Sequence, residues 1–409
     1  MRNLYIFITY TINNIGGSQL YIRKKMEYLQ NKQWDVQIFF YQNGHLQINE
    51  FKENQNNIIP ELTFFIDYYS TQKINTIINK IIQKLKNNYS KIIIESHSLH
   101  LATWAEFLAY KLNAKHFIYL IDEKPIMHNS YLDFMTFKYN RGELAGIIKD
   151  SINYFFRKTK LKLEKGSPFL KAHGANDCIL DVEYELPKDF FEYKIGIVGR
   201  LEKEFVRNSV NALFEFANKN KQSKILIMYI GGEQNSNIIK QDIKSAFNNC
   251  TNVCLEFTGF LFPIPLKLIR YFDFCISGAG AAWAITRSNI PTLVIDPRDN
   301  LCNGILGVTT YNAIFSDEEK KTLSYWLNII SNQREKYIPN YSNTKRNIDF
   351  DIHLDTVYQS CKTNDYYISF LHNKTIKNFI MKLITQFCTI KTIMNIIRIK
   401  RYIRKIISY

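Results

Sequence analysis

The apolar positions of this chain repeat with two different periods, which alternate along most of its length. Residues 4–10, 36–41 and 91–96 form nearly continuous apolar runs, which predict buried strands. Between such runs, segments such as 18–31 and 101–112 carry apolar residues at helical spacing. Apolar strands separated by helices are typical of a parallel sheet that is covered on both faces. We therefore predict an α/β fold.

The alternation restarts in the second half, after a stretch rich in Gly, Pro and acidic residues at 166–187. We interpret this stretch as the last strand of the first domain followed by a linker. The pattern predicts two doubly wound, Rossmann-like domains over residues 1–180 and 181–365, facing a central cleft. The predicted strands lie at 4–10, 36–41, 62–66, 91–96, 116–121, 193–199, 224–231, 253–258, 272–277 and 292–296.

The last segment, residues 366–409, has a different composition. It contains nine Lys or Arg residues and no Asp or Glu, interleaved with Ile, Leu, Met and Phe. From about residue 375 this pattern predicts one or two basic amphipathic helices. An apolar face beside cations favours an anionic membrane surface over nucleic acid. A helix packed on the protein body is the alternative interpretation.

Charge and cysteine content narrow the possible partners and compartment. The 409 residues carry a formal net charge of +16, which suits a phosphate ligand, an anionic membrane or a nucleic acid. Seven scattered cysteines predict reduced thiols in a cytoplasmic protein, and Cys250 and Cys254 lack the second pair of a zinc site. The chain contains no run of about twenty apolar residues, so the sequence predicts no membrane-spanning helix.

Two glycine-containing loops each follow a predicted strand and open a helix. The first contains Gly16 and Gly17, and the second contains Gly278 and Gly280. Exposed backbone N–H groups at a helix N-terminus can hold a diphosphate. The second loop resembles the dinucleotide fingerprint, but Trp283 stands at its third glycine position, so a nicotinamide cofactor is not indicated. An ordinary tight turn is the alternative at both loops.

Charged and imidazole side chains follow several other strands. Arg200 closes a strand of the second domain, where it and the nearby Lys203 or Arg207 can grip phosphate, unless this is a solvated basic loop. His97 follows a strand of the first domain, and Asp122 follows the next one. Either residue can act as the base on an acceptor hydroxyl. His100 and Glu123 are rival candidates, and a plain loop or capping role is the alternative for each.

Taken in order, these weak motifs resemble those of GT-B glycosyltransferases, especially family 4 glycosyltransferases of bacterial surface-polysaccharide assembly. The match covers most of residues 1–335. The segments that carry the resemblance are Gly16-Gly17, His173-Gly174-Ala175-Asn176-Asp177, Ile197-Val198-Gly199-Arg200-Leu201, Tyr229-Ile230-Gly231-Gly232-Glu233, Thr258-Gly259-Phe260, Ser277-Gly278 and Asn289-Ile290-Pro291.

The resemblance implies sugar transfer from a nucleotide-sugar donor to a saccharide or lipid-linked acceptor. It implies no cofactor and no metal ion in the site, because cations and helix ends would stabilise the leaving diphosphate. We expect an enzyme on the inner face of the cytoplasmic membrane, held there by the tail, with no nucleic-acid partner. The expected donor-binding residues are Gly17, Arg200, Lys203, Gly232, Phe260, Ser277, Gly278, Gly280 and Ala281.

Two departures from the family pattern support a second hypothesis. The family carries two glutamates eight residues apart, the second of which would fall near Ala284, yet no Glu lies between Phe260 and Phe315. The Lys expected a few residues after Gly-Arg-Leu is replaced by Phe205. The alternative function is therefore that of a non-catalytic partner subunit with the same fold.

Overall fold

The structure is a computed structural model, and it divides the chain into two compact units. The first unit comprises residues 1–14, 21–172 and 348–409, and the second comprises 15–20 and 173–347. The residues whose structure is described are 2–13, 15–85, 88–122, 124–171, 178–233, 238–296, 298–313, 317–339, 350–360, 365–372 and 375–395.

The first unit is built on a parallel sheet of five strands in the order β2-β1-β3-β4-β5. The central strand β1 is almost wholly buried, as its apolar run predicts. Chain order reverses between β1 and β3, and ligands of such sheets bind beyond the carboxyl ends at this point. The strands are β1 (Arg2–Thr9), β2 (Trp34–Phe40), β3 (Tyr89–Ser96), β4 (Lys115–Leu120) and β5 (Leu144–Gly146).

Helices connect these strands and bury their apolar faces against the sheet. In α2, Ile74, Ile77, Ile78 and Ile81 share the buried face, and the Ser70 side chain caps the helix by accepting from the Lys73 N–H. The bounds are α1 (Gly17–Asn31), α2 (Thr71–Ile82), α3 (Leu99–Leu112), α4 (Leu132–Asn140) and α5 (Ser151–Phe156).

The strand predicted at 62–66 is wrong. This region forms two short 3₁₀ helices, Pro60–Thr63 and Ile66–Tyr68. Pro60 has no N–H to donate to a strand ladder, and it occupies the start of the first 3₁₀ helix. Leu62 and Phe64 are buried without any sheet partner, so their apolar character reflects core packing.

The second unit contains a six-stranded sheet in the order β13-β12-β11-β7-β8-β9, parallel except for the β12–β13 pair. A separate two-stranded ribbon pairs β6 with β10. The strand expected near 180 as the end of the first domain is therefore part of the second unit. The strands are β6 (Ile179–Leu180), β7 (Tyr193–Val198), β8 (Ile225–Ile230), β9 (Val253–Gly259), β10 (Ile264–Pro265), β11 (Phe274–Ser277), β12 (Thr292–Ile295) and β13 (Cys302–Ile305).

Helices again alternate with the parallel strands, which confirms the predicted fold class of two Rossmann-like domains. Apolar residues of α6, such as Val206 and Leu213, are buried in the core of this unit. The helices are α6 (Glu204–Lys219), α7 (Ile238–Ala246), α8 (Leu266–Tyr271), α9 (Ala279–Thr286) and α10 (Leu323–Gln333).

After the second unit the chain returns to the first through α11 (Phe350–Gln359). The sequence assigned residues up to 365 to the second domain, but α11 packs in the first. The Tyr28 hydroxyl donates to Asp351, and His353 Nε2 lies 3.0 Å from the Lys171 carbonyl. Leu354 is also buried in this unit, so α11 belongs to its core.

Within the basic tail, α12 (Ile376–Phe387) confirms the prediction of a helix that starts at about residue 375. Asn378 Nδ2 donates to Asp67 at 2.7 Å, and Thr385 Oγ1 donates to the Tyr68 carbonyl at 2.7 Å. One face of α12 therefore packs on the first unit. No helix within the described ranges is both long and apolar enough to cross a membrane.

Candidate functional site

The loops that follow β7, β8 and β9 are packed against one another at the carboxyl edge of the second sheet. Gly231 has φ +152°, and a Cβ there would lie 2.1 Å from the Gly199 carbonyl oxygen. A Cβ on Gly232 would lie 2.3 Å from the Phe260 ring. The Leu201 N–H donates to the Gly232 carbonyl at 3.1 Å. Glycine is thus required at both positions, and three predicted donor segments meet here.

Two of the predicted phosphate-binding cations lie beside these glycines. Arg200 is half-buried, and Lys203 is exposed at the residue before α6. The Lys203 N–H donates to the Arg200 carbonyl at 3.0 Å, which fixes the turn between them. Within the described ranges, neither side chain forms an ion pair. Both cations are therefore available for an anionic ligand, as is the exposed Arg207.

The loop after β11 uses its predicted residues in different ways. Ser277 is fully buried and donates from Oγ to the Val198 carbonyl at 2.8 Å, so its hydroxyl ties β11 to β7. Gly278 precedes α9, and Ala279 holds a left-handed φ of +52° while its N–H donates to the Ala313 carbonyl. Gly280 and Ala281 are half-buried in the first turn, where backbone N–H groups lack partners within the helix.

Gly17 differs from the glycines of the β8 loop. It is the first residue of α1, is exposed, and a Cβ there would meet nothing within 4 Å. Packing inside the chain therefore does not require glycine at this position. Residues 173–177 and Glu123, which the sequence analysis also proposed as site residues, lie outside the described residues.

In the first unit, His97 is buried and both of its ring nitrogens are engaged. Nδ1 lies 3.1 Å from Thr9 Oγ1, and Nε2 lies 2.9 Å from Glu95 Oε1. A role as a base would require His97 to leave one of these partners. Asp122 is exposed in the loop after β4.

Glu95 is the centre of a buried polar network that the sequence analysis missed. Its carboxylate accepts from Lys25 Nζ at 2.5 Å, from the Tyr5 hydroxyl at 2.5 Å and from the Tyr21 hydroxyl at 2.9 Å. Burial opposes ionisation, but Lys25 and His97 hold the pKa of Glu95 well below its usual range. The sequence signal that could have revealed this network was Glu95 itself, a carboxylate that directly follows the apolar run Ile92-Ile93-Ile94.

A second missed cluster follows β12 in the second unit. The carboxylate of Asp296 is buried and accepts from the Arg298 guanidinium at 3.0 Å and from Lys320 Nζ at 2.8 Å. Burial works against ionisation here as well, yet Arg298 and Lys320 lower the pKa of Asp296. Lys320 also contacts Asp299 at 2.7 Å. The charges of Arg298 and Lys320 are thus balanced by carboxylates within the cluster, and these ion pairs fix the loop after β12.

Solved structures share this architecture over nearly the whole chain. Anabaena HepE in complex with UDP and glucose is 12% identical, with a TM-score of 0.57 over 88% of this chain and 95% of that one. Sucrose-phosphate synthase from Thermosynechococcus elongatus is 10% identical, with a TM-score of 0.54 over 88% and 98%. A glycosyltransferase from Rickettsia africae is 12% identical, with a TM-score of 0.52 over 95% and 99%. At these identities the likeness establishes the fold. The chain has the GT-B fold.

No protein-family model matches the sequence, and no curated protein sequence matches it. Within this GT-B chain, the described residues contain no group of three His, Cys, Asp or Glu side chains that could hold a metal ion. No disulfide bond joins the cysteines in the described ranges.

Proposed function

We propose that this protein is a glycosyltransferase that moves a sugar from a nucleotide-sugar donor to a saccharide or lipid-linked acceptor. The observation that carries this proposal is the convergence of the β7, β8 and β9 loops, where Gly231 and Gly232 allow close backbone approach beside the unpaired cation Arg200. The proposed setting is bacterial cell-surface polysaccharide assembly, as in the family that the sequence resembles. The UDP-bound state of Anabaena HepE supports a nucleotide ligand for this fold.

The proposed mechanism stabilises charge on the leaving group. Negative charge grows on the diphosphate as the bond to the sugar breaks, and groups that bind this charge lower the barrier. Arg200 and Lys203 would supply positive charge, and the backbone N–H groups of Gly280 and Ala281 would supply donors. In this scheme no cofactor or metal ion is needed. Ser277 would act by holding β11 against β7, since its hydroxyl is engaged there.

The groups proposed to act on the acceptor hydroxyl are Asp122 and His97. Asp122 is exposed after β4, at the carboxyl edge of the first sheet. His97 would need to exchange its Glu95 or Thr9 contact for the acceptor.

A second candidate function is that of a non-catalytic partner subunit. It is favoured by the absence of any Glu between Phe260 and Phe315, where the family that the sequence resembles carries glutamates that help to bind the donor sugar and ribose. Such a subunit would keep the GT-B fold without binding a donor. Nucleotide-sugar binding therefore separates the two functions.

The decisive experiment is isothermal titration of the full chain against a panel of nucleotide sugars and nucleoside diphosphates. We expect at least one to bind. Arg200→Ala should lower turnover of that donor at least about tenfold, because a charge-assisted contact to the leaving group is lost. Arg270→Ala is the matched control, since Arg270 is exposed at the end of α8. If a folded sample binds no member of the panel, the partner-subunit function replaces the transferase.

We also propose that the enzyme works at the inner face of the cytoplasmic membrane and binds its anionic surface through the tail. The supporting observation is α12 itself, whose outer face carries exposed apolar side chains and whose sequence also carries the cations Lys377 and Lys382. An interfacial helix needs this combination. No nucleic-acid partner is proposed.

A further inference from the structure

A polar cavity of about 290 Å³ lies in the first unit between α2 and the tail helix α12. One water molecule takes up about 30 Å³ in the liquid, so the cavity can hold a group of several heavy atoms. Lys73 and Thr76 line it from α2, and Lys382 and Gln386 line it from α12. We call it the α2–α12 cavity.

The α2–α12 cavity carries positive charge. Its lining includes two lysines, Lys73 and Lys382, and none of the described residues that line it is an Asp or Glu. Within the described ranges, the hydrogen bonds of both lysines involve only their backbone groups, and neither ammonium group forms an ion pair. Two cations from different helices that meet at one cavity without a carboxylate favour an anionic ligand.

Uncharged side chains around the two lysines add hydrogen-bond donors. Ser70 Oγ accepts from the Lys73 N–H at 3.3 Å, which leaves the hydroxyl proton of Ser70 for a ligand. The amide groups of Gln72 and Gln386 line the same cavity. A phosphate diester has a negative charge and oxygen atoms that only accept hydrogen bonds, so this lining matches a phosphate group.

Both walls of the α2–α12 cavity are held in place by contacts within the first unit. Ile74 of α2 is buried in the core of this unit. On the other wall, Asn378 Nδ2 donates to Asp67, and Thr385 Oγ1 donates to the Tyr68 carbonyl, each at 2.7 Å. The cavity is therefore formed before a ligand arrives, and binding requires little ordering of the protein.

The α2–α12 cavity borders the exposed apolar face of α12. Lys382 follows Phe379 by three residues and Gln386 follows Leu383 by three residues, and such pairs are neighbours on a helix surface. Phe379 and Leu383 are 65% and 42% exposed. A phosphate in the cavity would thus lie beside apolar side chains. A phospholipid joins these two chemistries in one molecule, whereas a free phosphate ion or a nucleic acid would leave the apolar side chains uncovered.

We propose that the α2–α12 cavity binds the phosphate of an anionic phospholipid headgroup, with Lys73 and Lys382 balancing its charge. The acyl chains would run past Phe379 and Leu383 into the bilayer. This inference rests on the proposed membrane contact of α12 and goes beyond it. A basic surface attracts a charged bilayer through the sum of its cations, whereas this cavity holds one lipid in a saturable site.

The test is titration of the full chain with single lipid molecules, read by ³¹P NMR. The probe is dihexanoyl phosphatidylglycerol below its critical micelle concentration, with dihexanoyl phosphatidylcholine and inorganic phosphate for comparison. We expect saturable binding of phosphatidylglycerol and weaker binding of the other two. Lys73→Gln should weaken phosphatidylglycerol binding about tenfold, because a charge-assisted contact is lost.

Lys80→Gln is the matched control, because Lys80 is an exposed lysine of the same helix, two turns beyond Lys73, and does not line the cavity. It should change the affinity less than about twofold, although it removes the same charge. Thr76→Tyr fills the cavity and keeps both lysines, so it should also abolish binding. Thr76 is exposed, and its hydroxyl bonds only to the Gln72 carbonyl of its own helix, so the variant should fold.

The inference is overturned if phosphatidylglycerol does not bind, if Lys73→Gln and Lys80→Gln weaken binding equally, or if Thr76→Tyr leaves binding unchanged. Inorganic phosphate that binds as tightly as the lipid, and is lost in Thr76→Tyr, would replace the lipid with a free anion. Co-sedimentation of the same samples with vesicles of phosphatidylglycerol and phosphatidylcholine keeps the two membrane proposals apart. Binding of the single lipid without vesicle binding defeats the membrane contact alone, and vesicle binding without binding of the single lipid defeats the cavity alone.

Discussion

At the scale of the residue, Gly17 and Gly231 occupy similar places in the sequence, each after an apolar strand, yet their surroundings are opposite. A side chain on Gly231 would collide with the Gly199 carbonyl at 2.1 Å, and the neighbour is backbone, which cannot rotate away. A side chain on Gly17 would meet nothing within 4 Å. Packing within the chain therefore requires a glycine at Gly231 and does not require one at Gly17.

Alanine substitutions separate these two roles. Gly231→Ala should lower the free energy of unfolding by about 1–3 kcal/mol or more, the usual cost of overpacking, and should weaken donor binding because the Arg200 loop shifts. Gly17→Ala should leave the thermal midpoint within a few degrees of the wild type, and any loss of donor affinity then reports direct contact. Calorimetry and donor titration measure both. Equal thermal stability for the two variants would contradict the packing argument.

At the scale of the element, apolar periodicity located most strands of both sheets because their apolar runs are largely buried, but it missed the short strands β5 and β13. It failed at 62–66, where Leu62 and Phe64 are buried by 3₁₀ helices and no sheet partner exists. It also could not find the Glu95 network. That network depends on which elements become neighbours, because Tyr5, Tyr21 and Lys25 reach Glu95 only when β1, α1 and β3 pack together.

The tail helix α12 shows why amphipathicity alone left two interpretations open. Asn378 and Thr385 lie on the face that packs on the first unit. The opposite face keeps Ile376, Phe379 and Phe387 exposed by 81%, 65% and 79%. The helix is therefore packed on the first unit, as the alternative interpretation expected, while the exposed apolar stripe leaves membrane binding as a prediction.

We expect Phe387→Gln to weaken binding to vesicles of phosphatidylglycerol and phosphatidylcholine several-fold, since a large exposed apolar side chain no longer enters the bilayer interface. Phe190→Gln is the matched control, because Phe190 is 80% exposed in the second unit. Co-sedimentation at two salt concentrations measures both variants. Equal binding by the two variants would show that α12 does not contact the membrane.

At the scale of the whole molecule, the chain leaves the first unit, builds the second and returns through α11. Apolar periodicity carries no information about this return. The boundary predicted at residue 365 is therefore too late, because the structure groups residues 348–409 with the first unit. One consequence is that ionisable groups from distant segments are buried together in the first unit. Glu106, for example, accepts from Lys138 Nζ and from the Tyr367 N–H, each at 2.9 Å.

These buried groups set the acid sensitivity of the first unit in two successive pH windows. His100 binds its proton only near pH 4 when folded but near its ordinary value of 6.5 when unfolded. Burial opposes ionisation of Glu106, but Lys138 and His116 lower its pKa from 4.5 to about 2. In each window the unfolded state binds more protons, so stability falls as the pH falls.

We expect the first unit of the wild type to lose stability between pH 6.5 and 4, with up to about 3 kcal/mol of the loss coming from the His100 pKa shift. His100→Gln should reduce this slope by the His100 share, because glutamine does not titrate, whereas His116 and His128, whose pKa values burial also lowers, keep titrating in the same window. The loss below pH 4.5 that Glu106 and Glu95 cause should stay. Pulse proteolysis in urea, read on fragments of the first unit, measures the stability at each pH. A variant that keeps the wild-type slope between pH 6.5 and 4 would show that burial does not lower the pKa of His100 in the folded chain.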